Sequence, residues 1–503
     1  MAYTDPGFAT RSLDIRLQIQ WNGGDPNNAL TWTDETPYFI SASGSLELLP
    51  GFDHYASNKV KSQQMQVSLS NQGYRYSSHV AGSFVSDFAD TGGFYHKRVR
   101  MQVNINNTGW QTVFSGFAKY VSEDYKGNRI TVTVYDVSEA MRSKQSTLVL
   151  RDYKEHELLA HYMTLAGLTD GVDFVSPTYA GANLVNATLD YSTTKVPYSW
   201  LDDEEIWEEL GDVAQAGSGR VFVNRDGRVY FWKMWRWSND DTPEALRMGQ
   251  FDDVSPVWDD KAFYDEITVD YADRVPGSPG SEVWELPRPR VIDPGKTEVI
   301  EARMSSPVLD FETPVNNEDY AIRWLSGNDA SASVTITYEW GGQLTKINIT
   351  NNASQAVMVG KFVLKGRPLV GESAEQHSEE LETPYTDRRL DVRGNPYIQS
   401  KWQAELAAKV WAWWYREPKP IFEIKRVRGN PARNLGDRVS VETHGTVVTG
   451  PIIAIKWQIA ITRKGGLAYT EDYTILDDSR LAGVNNYFIV GVDISDSGRV
   501  LWH

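Results

Sequence analysis

Between residues 64 and 138 the chain alternates apolar and polar side chains in one short run after another, which rules out a mainly helical fold for this stretch. Met65-Gln66-Val67-Ser68-Leu69-Ser70 puts every second side chain on an apolar face, then meets the turn-like Asn71-Gln72-Gly73 and a long polar loop. Val99-Arg100-Met101-Gln102-Val103-Asn104-Ile105 resumes the alternation, turns at Asn106-Asn107-Thr108-Gly109, and continues through Trp110 and Val113 to Phe114-Ser115-Gly116-Phe117-Ala118. After an acidic hairpin at Lys126-Gly127-Asn128, Ile130-Thr131-Val132-Thr133-Val134-Tyr135-Asp136 closes the phrase. Period-two runs punctuated by Asn and Gly are the text of antiparallel strands. Leu13 to Gln20 and Ile40 to Leu48 add two more, so residues 1–150 are expected to form an antiparallel barrel or sandwich. Such modules occur in lectins, hydrolases and adhesins alike, and alternation does not choose among them.

At 503 residues the chain exceeds what one core supports and is expected to divide into several domains. No run of 18 apolar residues occurs, and the start, Met1-Ala2-Tyr3-Thr4-Asp5-Pro6-Gly7, has neither a basic nor an apolar signal region, so neither a membrane span nor a cleaved signal is expected. With no cysteine, disulfides, thiolate metal sites and cysteine nucleophiles are excluded together. The 50 basic residues against 67 acidic ones, net −17, argue against a protein that wraps or reads nucleic acid through clustered cations. An acidic wall suits a conduit that must release DNA, and it also suits plain solubility.

From residue 152 the period becomes helical. Asp152-Tyr153-Lys154-Glu155 reads as a capping box with Asp152 as cap, ahead of Leu158, Leu159, Tyr162 and Met163 on one face and Gly167 as the stop. A second helix is predicted from Ser199 or Asp202, with Asp202, Asp203, Glu204 and Glu205 in its first turn and Ile206, Leu210, Val213 and Ala214 as the buried stripe. Gly217-Ser218-Gly219 ends it, and two strands follow around Arg225-Asp226-Gly227. Ile267 to Tyr271 reads as a strand, residues 334–349 as a hairpin around Gly341-Gly342, and 356–359 with 361–364 as two further strands. Asn395 as cap and Pro396 at the first position open a helix of about 21 residues, roughly 30 Å long, stopped by Pro418 and Pro420.

The order of these pieces resembles the tail hub, or baseplate hub and minor tail, proteins of tailed bacteriophages: strand text, then the helix-then-hairpin phrase of 199–232. After the long helix a fainter echo returns. Arg438-Val439-Ser440-Val441 parallels Arg98-Val99-Arg100-Met101; Val448-Thr449-Gly450-Pro451-Ile452 parallels 114–118; Thr474-Ile475-Leu476-Asp477 parallels Val134-Tyr135-Asp136. The resemblance implies a mainly β fold with α+β inserts: two related antiparallel barrels, a small α/β domain and a β-rich insert. The implied divisions are 1–150, a first tube-like barrel; 151–245, the α/β domain; 246–394, β-rich and contributing to the second barrel and an insert; 395–480, the long helix and second barrel; and 481–503, a C-terminal arm, in which Tyr487 to Val492 reads as a docking strand. It further implies a homotrimer whose six similar barrels match a six-fold tail tube. Its implied partners are distal tail and tube proteins, the tape-measure protein, and tip or fibre proteins, with DNA passing through the lumen without specific binding. The place implied is the virion tail tip, after assembly in the host cytoplasm.

No enzyme chemistry is expected. The histidines at 54, 79, 96, 156, 161, 377, 444 and 503 give no zinc spacing, and neither a dinucleotide fingerprint, a Walker sequence nor a nucleophile elbow occurs. No catalytic, cofactor-binding or metal-binding residue is therefore assigned, and no cofactor is expected. Acid clusters at 202–205, 252–253, 259–260 and 477–478 are what 67 carboxylates leave by capping and solvation, although two of them are what a glycosidase needs. The 18 tryptophans make a carbohydrate-binding adhesin or glycan-active module the rival reading. The groups Trp232/Trp235/Trp237 and Trp411/Trp413/Trp414 lie beside a strand end and on a helix, where core or interface packing is expected instead. A hexameric distal tail ring component is the second rival.

Overall fold

The computed structural model describes residues 11–21, 31–49, 56–86, 93–237, 242–257, 264–381, 388–415, 420–477, 487–488 and 500–501, apart from 125, 127, 178, 181–182, 185–186, 193, 248, 372, 444 and 463–464 within those spans. The predicted alternation is realised as strands β1 (Leu13–Gln20), β2 (Phe39–Glu47), β3 (Gln64–Ser70), β4 (Arg98–Ile105), β5 (Trp110–Asp124) and β6 (Arg129–Tyr135). Helices α1 (Glu155–Leu165) and α2 (Ile206–Ala216) and the hairpin β7 (Gly219–Val223) with β8 (Val229–Lys233) follow, then β9 (Glu244–Leu246) and β10 (Asp253–Val257). A β-rich insert contains β11 (Glu266–Tyr271), β12 (Thr297–Arg303), β13 (Val334–Glu339), β14 (Leu344–Asn351) and β15 (Val357–Gly371). Helix α3 (Lys401–Tyr415) leads into β16 (Ile421–Arg428), β17 (Arg438–Thr443), β18 (Thr446–Ile461) and β19 (Leu467–Leu476).

The chain is mainly β, and among the described residues no sheet closes into either of the two expected barrels. Strands from both ends of the sequence join one open sheet in the order β10-β16-β19-β18-β2-β3-β6-β5-β4-β1, and no sheet among the described residues closes on itself. The join is the antiparallel pairing of β2 with β18, Ser41 opposite Ala460 through Glu47 opposite Ala454. Because β2 uses one edge for β3 and the other for β18, the strands of the two expected barrels share a single ladder.

The alternation decides which face is buried. Met65, Val67, Leu69, Ile130, Val132, Val134, Ile455, Trp457 and Ile459 are all at most 2% exposed and share one core with Leu210 of α2 and Trp411 of α3. The insert has its own core around Ile300, Ile347, Ile349, Val359, Phe362 and Leu364. Along the opposite face of the main sheet runs a row of paired residues, Tyr120-Thr133-Gln66-Ser43-Gln458-Thr470, each opposite the next on the adjacent strand.

Three helix boundaries differ from expectation. Asp152 caps nothing: it lies in the strand Leu150–Lys154 at φ +57, and α1 starts at Glu155, with Glu157 accepting from the Lys154 N–H at 3.0 Å. Asp202–Glu205 form a strand against Lys144–Ser146, placing Glu205 opposite Lys144, so the first turn of α2 carries Glu208 and Glu209 instead. Cross-strand pairing, which no local signal announces, wins both times. Helix α3 has 15 residues, about 22 Å, because it starts at Lys401, with Ser400 Oγ accepting from the Gln403 N–H at 3.3 Å, while the Oδ1 of Asn395 accepts from the Tyr397 N–H at 2.9 Å in a turn ahead of the helix. The side chain of Asn395 also reaches α2. Its Nδ2 donates to Asp212 O and to Gln215 Oε1, each at 2.8 Å, tying the segment to α2. The two runs expected at 356–364 are one 15-residue strand that reads straight through Gly360. Of the expected C-terminal strand, Tyr487–Phe488 pairs parallel with Val500–Leu501, and 489–492 lie outside the described residues.

A buried polar lock fastens the α/β hairpin to the sheet. Arg225, in the β7–β8 turn, reaches Glu471 of β19 at 2.7 Å and donates from Nε to Arg433 O at 2.6 Å; both charged side chains are at most 1% exposed. Tyr469 and Tyr473 donate to the same carboxylate, as does the Asn430 N–H at 3.1 Å, and Arg433 pairs with Glu244 at 2.7 Å. Burial opposes the Arg225 charge, but Glu471 and the two tyrosines more than offset it, so its pKa stands above the usual arginine value. Replacing Arg225 by Met strands a buried carboxylate, which costs about 3–5 kcal/mol. Chemical denaturation of R225M is therefore expected to show a large loss that the double variant R225M/E471L partly restores; equal losses in both would refute the pairing.

Candidate functional site

The surface that distinguishes this molecule is built by repetition. In the first half the strand order is β2-β3-β6-β5-β4-β1; in the second it is β10-β16-β19-β18-β17-β9. Every antiparallel contact of the first series has its counterpart in the second, and only the outermost pair differs, β9 lying parallel to β17 where β1 lies antiparallel to β4.

Atomic details coincide as well. A Cβ on Gly116 would lie 2.0 Å from Tyr135 O and 3.0 Å from the Asp136 Cα; one on Gly450 would lie 1.7 Å from Leu476 O and 3.5 Å from the Asp477 Cα. Both glycines are therefore required by the same close approach of two backbones. Just beyond, the Asp136 N–H donates to Gln63 O at 3.1 Å and the Asp477 N–H to Pro420 O at 2.9 Å, each acceptor directly preceding a strand, β3 or β16. A bulge falls between Ala118 and Tyr120 on β5 and between Ile452 and Ala454 on β18. Ala118 exchanges two backbone hydrogen bonds with His96 and Lys97, both 2.9 Å, and Ile452 does so with Gly436 and Asp437, at 2.8 and 2.9 Å. The sequence parallels drawn at 98–101, 114–118 and 134–136 thus correspond to equivalent places in the fold.

One contact has no counterpart within the chain. Beyond its bulge, β18 pairs along its free edge with β2. The equivalent stretch of β5, residues 119–124, has no strand on that edge among the described residues, and neither does the outer edge of β10, the counterpart of β2. Tyr120 and Val121 are 58% and 43% exposed there. Unpaired, exposed strand edges template further pairing.

The residues singled out from sequence lie elsewhere and do not converge. Asp202 pairs with Arg303 at 2.6 Å and Asp252 with Arg426 at 2.9 Å; 259–260 and Asp478 lie outside the described residues. The buried ring of His156 accepts from the Ser192 N–H at 3.0 Å, and burial pulls its pKa down to about 4. Among the described residues no group of three or more metal-ligating side chains forms, and no helix is long and apolar enough to cross a membrane. Trp411 and Trp414 are buried and Trp413 half-buried, while Trp232 packs edge-on against Phe222 at 5.3 Å, so these rings serve packing; Trp235 and Trp237 fall where no side chain is described. The Arg225–Glu471 lock was missed, although a charge at a core-facing position of an alternating strand, between Tyr469 and Tyr473, is a readable signal.

Two outcomes follow from the repeat. Gly116→Ala and Gly450→Ala each force a carbon into a carbonyl, and each is expected to cost on the order of 1–3 kcal/mol or more in a denaturant titration; no change would refute the close approach. Asp136 is buried and pushed up to about 7 by desolvation, despite accepting from Gln63 N at 2.8 Å and Ser138 N at 3.0 Å. A raised carboxyl favours the fold when protonated, so its contribution is full below about pH 4 and is lost as pH rises through about 7. The Tm of Asp136→Asn, measured from pH 4 to 8 against wild type, is expected to lack that decline.

No protein-family model matches the chain, and no curated protein does. Among solved structures, the tail protein from Neisseria meningitidis is similar at TM-score 0.47 and 9% identity, covering 93% of this chain and 97% of that one. The 43 kDa tail protein of a Shewanella oneidensis prophage follows at TM-score 0.45 and 9% identity, covering 92% and 97%, and prophage tail protein gp18 from Listeria monocytogenes at 0.38 and 9%, covering 94% and 97%. Each of these three is described as a tail protein, and a component of the E. coli type VI secretion system is also similar, at TM-score 0.28 and 8% identity, covering 90% of this chain and 99% of that one.

Proposed function

We propose that this chain is a structural, non-enzymatic tail hub protein: a homotrimeric ring at the distal end of a phage tail tube. In that place it joins the tube and distal tail proteins to tip or fibre proteins. Its lumen admits the tape-measure protein and later DNA, neither held specifically. It belongs to the virion's tail tip and is assembled in the host cytoplasm. The division into a first β unit, an α/β unit, a β-rich insert, a second β unit and a C-terminal arm is part of the same reading.

The observation that carries the proposal is the edge-to-edge joining of two equivalent strand sets by β2 and β18. One chain holds two quasi-equivalent units side by side, so three chains hold six, which is what a threefold body needs to meet a sixfold tube. Sequence resemblance to the tail hub family supports it independently. Of the aromatic groups weighed for a sugar-binding module, Trp232, Trp411, Trp413 and Trp414 pack into the core, which favours the structural reading. Mass measurement of the purified particle is expected to give three times the chain's 56.8 kDa. Six copies would favour a distal tail ring instead, and a defined ligand on a glycan array would favour an adhesin.

A further inference from the structure

We infer that the ring closes by strand pairing between copies, with β10 of one chain laid antiparallel on residues 119–124 of β5 of the next, in the register that β2 and β18 already use. The inference rests on the trimer reading and deepens it by naming the edges. The internal seam is the template, since β18 beyond its bulge is the counterpart of β5 beyond its own, and β2 is the counterpart of β10. Aligning the bulges sets Tyr120 with Ala454 and Ser122 with Lys456. Aligning the strand starts sets Ser45, opposite Gln64, with Val257, opposite Ile421. Ser45 pairs with Lys456 and Ser43 with Gln458, so Val257 faces Ser122 and Ser255 faces Asp124 across the new seam. No like charges oppose one another there. Pro256 stands where β2 has Gly44, and a proline on an edge strand discourages indiscriminate pairing.

The geometry of the product is coherent. Eight strands of each chain, β10 through β5 in sheet order, join a wall that three copies complete. At about 4.8 Å per strand that wall is roughly 115 Å around and about 37 Å across at the backbone, wider with strand tilt. The apolar face is already covered by α1, α2 and α3, so the face with the row Tyr120-Thr133-Gln66-Ser43-Gln458-Thr470 turns to the axis. The next row on that face, Ser122-Thr131-Ser68-Ser41-Ala460-Ala468, is also uncharged, and beyond them Lys456 lies opposite Asp472. The central rows of such a wall offer hydroxyls and amides, flanked on the same face by Lys456 opposite Asp472, by Asp124 opposite Arg129, and by Glu47 and Glu423. The two uncharged rows carry no cation against which a polyanion would exchange its counterions.

The chain has no cysteine, so introduced pairs report cleanly. In full-length protein, Ser122→Cys with Val257→Cys, and separately Asp124→Cys with Ser255→Cys, are treated with a short thiol crosslinker and run on a denaturing gel. Ser43→Cys with Gln458→Cys, which bridges the internal seam, is the control that must link without gaining mass. The expected product of either test pair is a covalent species that stops at three chains. A particle of three copies whose test pairs stay unlinked, while the control links, overturns the edge assignment and leaves the trimer standing. A covalent ladder running past three overturns ring closure, and a particle that is not trimeric by mass overturns the underlying reading.

Discussion

Backbone hydrogen bonding along the edge of β2 is the constraint on which the rest depends. A strand in the middle of a sheet must satisfy its N–H and C=O groups on both sides, and β2 does so with β3, its neighbour in sequence, and with β18, some four hundred residues away. That single ladder turns two similar strand sets into one sheet. It also fixes which edges remain open, one at each end of the pair. Symmetry of contacts within the chain is therefore the ground for the contacts proposed beyond it.

The other elements stabilise the sheet's apolar face. Helices α1, α2 and α3 share its core, and the β7–β8 hairpin is driven between the two strand sets. A Cβ on Gly227 at the hairpin tip would sit 3.1 Å from Ser115 of the first set, while Arg225 beside it reaches Glu471 of the second. A fully buried ion pair seldom adds net stability over apolar packing, but it is unforgiving of misplacement. Its place here, at the meeting of three segments, suits a device that fixes their register. Much of the insert packs on a core of its own, while Ile267, Val269 and Tyr271 of β11 join the main one.

The face away from these elements is where composition misleads. A net charge of −17 suggests an acidic channel, yet the central rows of the sheet carry Ser, Thr and Gln. Acids on that face, such as Asp472 opposite Lys456, flank those rows, and others form ion pairs elsewhere, such as Asp202 with Arg303. Period-two patterning requires the outward side chain of a strand to be polar, whether charged or neutral, and small hydroxyls suit the pleat.

Much of the local structure was legible in the sequence. The strands of 64–136, the 334–351 hairpin, the β7–β8 turn at Asp226-Gly227 and the existence of three longer helices follow from periodicity and turn chemistry, because those act over a few residues. Even the echo of 98–101, 114–118 and 134–136 could be read, for a glycine needed by a close backbone approach and a strand-ending aspartate leave marks in the text. Helix starts were misread at Asp152 and Asp202 because distant strand pairing outbid local caps, and at Asn395 because Ser400, five residues on, caps the helix instead. What only the tertiary structure decided is that β2 lies against β18, so that the described strands of both sets run in one open sheet. Edge pairing is made of backbone groups common to every residue, so no side chain announces which edge will meet which.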